Sequence, residues 1–470
     1  MKKIKPTFLL VILFVSFLIS CKNSSDIAIL YTNDIHCTID TDFGFPELSA
    51  YKNNLKRKMT NVLTVDAGDA IQGNAIGLAS KGEAIINIMN VVGYDFATFG
   101  NHEFDYGLQN LRQLLDIANA QYLCCNIDYA GEDATFINHF SPYIIKQYGK
   151  INLAFIGALT PDTQKISIVD SNNAERNLYN FYEKDSGKAL YQKIQDTVNE
   201  CRSLGADYII LLAHLGTTDS VYSSYAVAAN TESIDIIIDG HSHSVIEDEV
   251  VKNSLGKDVH ITSTGSHFKN FGKLLISPQG KFSFSLISAG AYKKQDSSVA
   301  QCIKNEKSKT EDLLNAIVAK SNKTLDYTNS KNERIILKEE TALGDFCADA
   351  FRLTSNADIA LINAGGIRSG IVEGNITNKD LYSVFPFGNL LCTAHIRGDK
   401  ILEALEYAYS FLPNASKTFL LIPRLRMESI IPGILIGEPL LTETSNGFSL
   451  SPNFFPVISS IFLMYSLIWP

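Results

Sequence analysis

The sequence predicts an α/β protein of two domains, and three observations lead to this prediction. The chain has 470 residues, whereas a single hydrophobic core stops growing at about 250–300 residues. Apolar residues make up 46% and charged residues 19% of the chain, which is typical of a globular protein. Between residues 26 and 289, short apolar runs alternate with stretches of helical apolar spacing, as in a layered α/β domain.

The residues before this region have the pattern of an export signal. Lys2, Lys3 and Lys5 form a basic start, and residues 8–19 are apolar apart from one serine. The apolar run is too short to span a bilayer, so we interpret residues 1–20 as a signal peptide. We therefore expect the chain to be exported.

A cysteine follows this signal directly. Residues 18–21, with the sequence LISC, are similar to the cleavage box of bacterial lipoproteins. We predict cleavage before Cys21, lipid attachment to this residue and a polar tether over residues 21–26. The lipid would anchor the protein in the bacterial envelope, at the outer membrane or cell surface or facing the periplasm. The alternative is a plain secretory signal with an incidental cysteine.

Five strand-like runs lead to the residues of greatest chemical interest. The runs cover residues 27–33, 62–65, 96–99, 208–212 and 234–238. Helices are predicted between them at residues 81–92, 107–118 and 190–204. The polar side chains that follow the runs are Asp34, His36, Asp69, Asn101, His214, His241 and His243. Because open α/β sheets bind ligands at the carboxyl ends of their strands, we expect these side chains to line one crevice.

The histidine pair after the fifth run illustrates the geometry. In an extended segment, side chains two residues apart point to the same side, so His241 and His243 point into the same crevice. An isolated pair of this kind is more often an ordinary surface turn. The four other runs repeat the arrangement, however, and with His102 the site contains five of the nine histidines of the chain. This repetition favours a functional site.

These donors suit divalent metal ions. A set of carboxylates, imidazoles and one amide, without a thiolate, favours Zn, Mn, Mg, Ca or Fe. Seven ligands are too many for one tetrahedral ion, but they fit two ions that share a bridging ligand. The sequence therefore predicts two divalent metal ions, such as Zn or Mn.

The net charge of −9 argues against a surface that binds nucleic acid.

The motifs resemble a known family. The blocks of the calcineurin-like metallophosphoesterases are matched in order by DxH at residues 34–36, GD at 68–69, GNHE at 100–103, His214 and GHxH at 240–243. The longer stretch GNHEFDYG, together with motifs near the C-terminus, resembles the bacterial 5'-nucleotidase / UDP-sugar hydrolase family. The resemblance covers residues 26–409.

This resemblance implies a fold and an assignment of the ligands. Residues 27–295 would form a four-layer α/β/β/α metallophosphoesterase domain with two facing sheets. One ion would be held by Asp34, His36, Asp69 and His243. The other would be held by Asp69, Asn101, His214 and His241, with Asp69 as the bridge.

The resemblance also implies a reaction. A hydroxide shared by the two ions would attack phosphorus in line with the leaving alkoxide. His102 would be the catalytic histidine, and Asp105 would orient it and keep it protonated. The alternatives are a structural histidine for His102 and a helix N-cap for Asp105. We interpret Asp66 and Asp239 as groups that hold the ligand loops, and His267 as a surface residue rather than a ligand.

A smaller α/β substrate-binding domain is predicted at residues 333–416, after a linker helix over residues 296–332. The sequence NAGGIR at residues 363–368 resembles the NxGGIR block of the family's C-terminal domain. The resemblance implies that Asn363 and Arg368 contact the nucleotide, since an arginine fork matches phosphate and ribose oxygens. The alternative is a structural turn with a surface arginine.

The second domain is expected to be incomplete. FPFG at residues 385–388 resembles the family's PFG block and implies that Phe387 stacks on the base, although a core phenylalanine is the alternative. No second stacking aromatic is found, and Arg334 is the nearest candidate for an arginine expected before the domain's first helix. We interpret residues 417–470 as an aberrant tail from a shifted reading frame or a truncated gene.

The sequence thus predicts a lipid-anchored hydrolase that releases phosphate from 5'-nucleotides. Its partners would be the nucleotide substrate and, through the lipid, a membrane, with no nucleic acid polymer. One alternative is a phosphodiesterase for 2',3'-cyclic nucleotides or nucleotide sugars, because the same metal core serves both reactions. Another is a catalytically weak lipoprotein that binds nucleotides, in keeping with the damaged tail.

Overall fold

The computed structural model describes residues 24–39, 43–131, 136–166, 179–218, 220–387, 391–415, 420–421 and 448–450. The chain divides into two compact units. The first consists of Met1–Gln72 and Lys81–Glu306, and the second of Gly73–Ser80 and Lys307–Pro470. The predicted signal peptide and Cys21 lie outside the described residues.

The first unit is built on two six-stranded sheets. Its strands are β1 (Ser24–Thr32), β2 (Met59–Asp66), β3 (Phe96–Thr98), β4 (Gln121–Leu123), β5 (Asp128–Tyr129), β6 (Tyr143–Tyr148), β7 (Ile151–Leu159), β8 (Tyr179–Asn180), β9 (Tyr208–His214), β10 (Ile236–Asp239), β11 (Val245–Lys252), β12 (Asp258–Thr264), β13 (Asn270–Ile276) and β14 (Phe282–Ser288). One sheet has the order β14-β13-β1-β2-β3-β4, and the other β11-β12-β10-β9-β7-β6. Strands β1 to β4 are parallel in the first sheet, as are β7, β9, β10 and β12 in the second.

The helices up to the end of the first unit alternate with these strands. They are α1 (Phe45–Lys56), α2 (Ala75–Ser80), α3 (Glu83–Val92), α4 (Leu108–Ile117), α5 (Thr163–Ile166), α6 (Lys188–Ser203), α7 (Ser224–Asn230) and α8 (Ser297–Asn315). Helices α3, α4 and α6 correspond to the three helices predicted between the strand runs. In the part of the chain that the structure describes, no helix has the length and apolar composition needed to cross a membrane.

Alternating side chains along the strands create the layers of the first unit. Ile29 of β1 shares a core with Phe155 of β7, so this core joins the two sheets. Ala28, which points to the opposite face, packs against Leu55 of α1. The outer face of the second sheet packs against α6 and α7. The first unit therefore has the predicted order of helix, sheet, sheet and helix.

The second unit contains smaller sheets. Its elements are β15 (Ile317–Ser321), α9 (Ala342–Ser355), β16 (Ile362–Asn363), β17 (Gly374–Thr377), α10 (Asn378–Val384), α11 (Gly398–Tyr409), β18 (Leu420–Leu421) and β19 (Phe448–Leu450), together with α2 and the end of α8. Antiparallel pairing gives one sheet with the order β17-β15-β19 and a second with β16-β18. Leu343 and Cys347 of α9 share the core with Ile362 and Ile376.

Three boundaries differ from the sequence prediction. Strand β1 begins at Ser24, inside the predicted tether. Strand β15 lies inside the predicted linker of residues 296–332 and pairs with β17 of the second unit. Strands β18 and β19 lie inside the predicted tail of residues 417–470 and pair with β16 and β15. The physical reason is that strands pair through hydrogen bonds between backbone groups. Segments whose side chains show no clear apolar alternation can therefore still form strands.

Candidate metal centre

The seven predicted donors follow the carboxyl ends of five parallel strands. Strand β1 leads to Asp34 and His36, β2 to Asp69, β3 to Asn101, β9 to His214, and β10 to His241 and His243. Strands β1, β2 and β3 are neighbours in one sheet, and β9 and β10 are neighbours in the other. A backbone hydrogen bond joins the loops after β1 and β2. In it, the His36 N–H donates to the carbonyl of Asp69 at 2.9 Å.

One group of donors forms around Asp34. Single donor atoms of Asp34, His36 and His243 all lie within 4.8 Å of one another. The Nε2 atoms of His36 and His243 are 3.0 Å apart, and His243 Nε2 lies 3.4 Å from Asp34 Oδ1. Asp34 and His36 are buried whereas His243 is exposed, so solvent reaches this group from the His243 side.

A second group shares Asp34 with the first. Donor atoms of Asp34, Asp69 and His214 also lie within 4.8 Å of one another, and all three residues are buried. His214 Nε2 is 3.1 Å from Asp69 Oδ2. The same carboxylate oxygen is 3.9 Å from Nε2 of His36, so Asp69 faces imidazoles of both groups.

The two remaining donors contact each other. Asn101 Oδ1 lies 2.9 Å from His241 Nδ1. The backbone N–H of His241 donates to the two carboxylate oxygens of Asp34, at 3.1 and 3.0 Å, and its ring centroid is 5.2 Å from that of His214. The structure thus brings all seven predicted donors together, and their assignment to particular ions stays a prediction.

Burial makes this concentration of charge costly without a cation. Burial raises the pKa of Asp34 to about 7 and lowers the pKa of His241 to about 3. It also lowers the pKa of His36 well below the ordinary value. For His214, burial disfavours the charged ring, but the Asp69 carboxylate, helped by Asp34, outweighs burial and raises the pKa to about 10. In the absence of a metal ion, a proton on His214 supplies the positive charge that these carboxylates favour.

The hydrogen bonds of the imidazoles fit a divalent ion. Nδ1 of His36 donates to the carbonyl of Gln72 at 3.0 Å, and Nδ1 of His214 donates to the carbonyl of Ala67 at 2.8 Å. In the neutral rings, the lone pair is therefore on Nε2. Nε2 of His214 is buried and makes no well-aligned hydrogen bond among the described residues, although Asp69 lies close. A ligating histidine whose other nitrogen donates to a carbonyl is the usual arrangement in metal sites.

Five of the seven donors have a left-handed backbone. The φ angles are 49° at Asp34, 47° at His36, 59° at Asp69, 78° at His241 and 56° at His243. Residues that carry a Cβ rarely adopt this conformation, and strain of this kind costs on the order of 1–3 kcal/mol per residue. Its concentration at the strand ends indicates loops that are shaped to present the donors.

Two glycines allow these loops to approach one another. A Cβ on Gly100 would lie 2.1 Å from Asp69 Oδ1, and a Cβ on Gly240 would lie 2.8 Å from His214 Nδ1. Either side chain would displace a donor. The φ angle of Gly100 is −98°, so the site requires its lack of a side chain and not its conformational freedom.

Glu103 holds the loop that carries Asp69, a role that was not predicted from the sequence. This buried carboxylate accepts the backbone N–H groups of Gly100 at 2.6 Å, of Asp69 at 2.8 Å and of Ala70 at 2.8 Å. Its position inside the motif GNHE is the only signal in the sequence. The hydrogen bonds depend on a loop shape that residue spacing does not reveal.

Three further polar side chains hold the loops. Asn33, also missed from the sequence, donates to Asp34 Oδ2 at 2.7 Å. Asp66 accepts the backbone N–H two residues further on, at 2.9 Å. Asp239 accepts the first two backbone N–H groups after β9, at 3.1 and 3.2 Å. The two aspartates therefore hold the ligand loops, as the sequence predicted, and each is hydrogen-bonded to the backbone rather than grouped with the donors.

His102 and Asp105 form a pair beside the donors. His102 Nδ1 is 2.6 Å from Asp105 Oδ2, and its ring centroid is 5.6 Å from that of His36. The His102 backbone N–H donates to Asp69 Oδ1 at 2.9 Å. Burial opposes the charged ring, but Asp105 and Asp69 outweigh it and raise the pKa of His102 to about 9. In the metal-free centre, this histidine therefore favours its protonated form at neutral pH.

The predicted substrate residues lie in the second unit. The Arg368 guanidinium stands over the ring of Phe387, 5.3 Å from its centroid. Arg334 Nη2 donates to the carbonyl of Ile367 at 2.7 Å, and burial, then the charge of Arg368, lowers the pKa of Arg334. The Arg368 guanidinium therefore lies beside an aromatic ring, and the Arg334 guanidinium lies near that of Arg368. Asn363 is the residue before the 3-10 turn of the same segment.

Comparison with known proteins identifies both units. The family model of the calcineurin-like phosphoesterases matches residues 27–245, and that of the 5'-nucleotidase C-terminal domain matches residues 317–434. A solved structure, the 5'-nucleotidase precursor from Thermus thermophilus, is similar with a TM-score of 0.69 and 26% identity. The similarity covers 84% of this chain and 81% of that chain.

Sequence relatives agree with this result. The trifunctional nucleotide phosphoesterase protein YfkN of Bacillus subtilis is 27% identical over 434 residues, which are 84% of this chain but 28% of that protein. Snake venom 5'-nucleotidase of Gloydius brevicauda is 28% identical over 451 residues, covering 86% of this chain and 74% of that protein. The chain therefore spans only part of the length of these relatives.

The chain belongs to the calcineurin-like phosphoesterases that carry a 5'-nucleotidase C-terminal domain. This result confirms the family and the two-domain α/β fold that the sequence predicted. It also indicates a phosphoric ester hydrolase. The family implies divalent metal ions, which the donor set described above fits.

Gly100→Ala is expected to weaken metal binding, because the added Cβ would displace Asp69. Groups that orient ligands typically change metal affinity by about 10–100-fold, and we expect a loss of this size in a calorimetric titration with Mn²⁺ or Zn²⁺. Gly398→Ala is the control, since a Cβ there meets nothing within 4 Å. Equal affinities in the two variants would contradict the proposed role of Asp69.

Removing divalent ions with a chelator is expected to lower the thermal unfolding midpoint. Ions that bind only the folded state stabilise it by about 4 kcal/mol at a thousand times their Kd, and Mn²⁺ or Zn²⁺ should restore the midpoint. The difference should shrink in Asp69→Asn and persist in Asp258→Asn, which changes an exposed carboxylate. If neither chelator nor added metal changes the unfolding midpoint of the wild-type protein, this result would argue against a metal centre.

Proposed function

We propose that this protein hydrolyses 5'-nucleotides to nucleosides and inorganic phosphate. The observation that carries the proposal is the meeting of seven metal donors in a calcineurin-like unit, followed in the same chain by a 5'-nucleotidase C-terminal domain. The substrate class is supported by the relatives from Thermus thermophilus and Gloydius brevicauda, both of which are named 5'-nucleotidases.

Two divalent ions, such as Zn or Mn, would occupy the centre. The first would be held by Asp34, His36, Asp69 and His243. The second would be held by Asp69, Asn101, His214 and His241. One Asp69 oxygen lies 3.9 Å from His36 Nε2 and 3.1 Å from His214 Nε2, which supports the role of Asp69 as the bridge. When bound, such ions polarise a phosphoryl group and make a water molecule more acidic.

His102 would donate a proton or hydrogen bond to the phosphoryl oxygens or the leaving oxygen. Asp105 accepts the Nδ1 proton and so fixes the rotation and tautomer of the ring. The donating atom is then Nε2. The raised pKa of His102 supports this role, because a group that gives up a proton must hold it at neutral pH.

The second unit would bind the nucleoside part of the substrate. Arg368 and Arg334 offer guanidiniums that match phosphate and ribose oxygens, and Asn363 adds an amide. Phe387 would stack on the base, and this stacking tolerates any base because each base has a π face. The contact between Arg368 and Phe387 supports this assignment, since it places a cation and an aromatic ring together.

We propose that the protein is exported and lipid-anchored. A signal peptide over residues 1–20 and a lipidated Cys21 would place it in the bacterial envelope, at the outer membrane or cell surface or facing the periplasm. The basic and apolar pattern of these residues supports this proposal. A relative named for snake venom is in keeping with an extracellular or envelope location.

A phosphodiesterase acting on cyclic nucleotides or nucleotide sugars is the second candidate. The relative YfkN is named a trifunctional nucleotide phosphoesterase, which favours a centre that accepts more than one ester. The two candidates differ in the charge of the phosphoryl group at the metal centre. Parallel assays of AMP, 2',3'-cyclic AMP and a nucleotide sugar would separate them.

Phosphate release from AMP by the protein beginning at Lys22, with Mn²⁺ or Zn²⁺ added, tests the main proposal. We expect turnover in the wild type and a decrease of about 10²–10⁴-fold in His102→Ala, which is the usual contribution of a general acid. His260→Ala is the control, because His260 Nδ1 also pairs with an aspartate, Asp248, at 2.7 Å.

Two other results would change the conclusion. Hydrolysis of an aryl phosphate without hydrolysis of AMP would mean that the metal centre works and the nucleotide unit does not. Absence of both activities in protein that retains its ions would refute the enzymatic function. The remaining candidate would be a nucleotide-binding protein, and thermal stabilisation by AMP would then detect the binding.

A further inference from the structure

The turn after β12 carries a histidine that the proposed reaction does not use. In this turn, His267 has a φ of 55° and Phe268 a φ of 52°. Two successive left-handed residues with large side chains are unusual. Such strain persists only where the surrounding structure fixes it, and it is common in functional loops.

Several contacts fix this turn to the loop of the first donors. Asn33 accepts the backbone N–H of Thr264 at 2.8 Å, and the backbone N–H of His267 donates to the carbonyl of Asp34 at 2.8 Å. The side chain of Phe268 is buried. The position of His267 is therefore set by the same loop that presents the first donors.

The imidazole of His267 lies beside the first donor group. Its ring centroid is 5.2 Å from that of His36 and 6.2 Å from that of His243. The rings of His36 and His243 themselves are 5.0 Å apart, so His267 is about as near as a neighbouring ligand. Nδ1 of His267 lies 3.0 Å from Thr38 Oγ1, which fixes the rotation of the ring.

His267 nevertheless lies outside the donor groups. Asp34, His36 and His243 have donor atoms within 4.8 Å of one another, whereas among the described residues no group of this size includes His267. The residue is also exposed to solvent. His267 is thus close to the ligands and accessible to solvent, but too far from them to belong to a donor group. It is positioned to contact a molecule bound at the centre.

We propose that His267 donates a hydrogen bond to a phosphoryl oxygen of the substrate. The inference rests on the proposed function, because it requires a phosphate ester at the metal centre. An imidazole N–H matches a phosphoryl oxygen, and hydrogen bonds to charged groups are the stronger ones. With the Thr38 hydroxyl donating to Nδ1, the proton of the neutral ring is on Nε2, and Nε2 is the donating atom.

His267→Ala in the metal-loaded chain tests this proposal. We expect the Kd for inorganic phosphate, measured by calorimetry, to rise about tenfold or more. The KM for an aryl phosphate should rise by a similar factor, while both bound ions are retained. His260→Ala, on the strand β12 that precedes this turn, should leave all three quantities unchanged.

Thr38→Val provides an independent variant that keeps the volume of the side chain. It removes the hydroxyl group that orients His267, so we expect a smaller rise in the Kd for phosphate. The same change in the His267→Ala background should have no further effect, because the hydroxyl acts through the ring. Additive losses would show that the two side chains act separately and would overturn the assigned orientation.

The outcomes separate this inference from the proposed function. Unchanged phosphate affinity in His267→Ala overturns the inference, and so does loss of a bound ion, because His267 would then be a ligand. A metal-loaded wild type that does not bind phosphate also overturns it. If the wild type binds phosphate but hydrolyses no ester, the proposed function fails while the phosphate titration still decides the role of His267.

Discussion

Buried carboxylates and imidazoles that lie within 4.8 Å of one another need a cation, and the first unit is organised around this requirement. Burial pushes Asp34 towards its neutral form, while Asp69 and Asp34 favour a proton on His214. Divalent ions would remove this conflict by supplying the positive charge directly. Bound ions would thus contribute to the stability of the loops that hold them.

The loops that present the donors are strained, and other parts of the unit compensate. Left-handed φ angles at residues such as Asp69 are unfavourable by themselves. Glu103 offsets part of this cost by accepting backbone N–H groups of the same loop, and Asn33 ties Asp34 to the end of β12. Beneath the loops, the apolar core between the two sheets fixes the strand ends. Precise donor positions therefore depend on packing far from the ions.

The sequence predicted the donors and the α/β class because both follow from regular patterns, whereas the four layers were implied by the family resemblance. Buried strands are continuous apolar runs, and the residues at their carboxyl ends meet at one edge of a parallel sheet. Glu103 escaped prediction because its partners are backbone groups of loops, and Asn33 because one of its partners, Thr264, is distant in sequence. Neither kind of contact leaves a periodic signal. Strand β15 was missed for a related reason, since its partners β17 and β19 are distant in sequence.

Anomalous diffraction from crystals of the Mn²⁺-loaded protein tests the central claim most directly. We expect two manganese ions per chain, with carboxylate oxygens of Asp69 between them and His36 and His214 on opposite sides. A single ion would contradict the dimetal centre, and two ions that do not share Asp69 would contradict its role as the bridge. Ions found only at surface carboxylates such as Asp258 would contradict the metal site altogether.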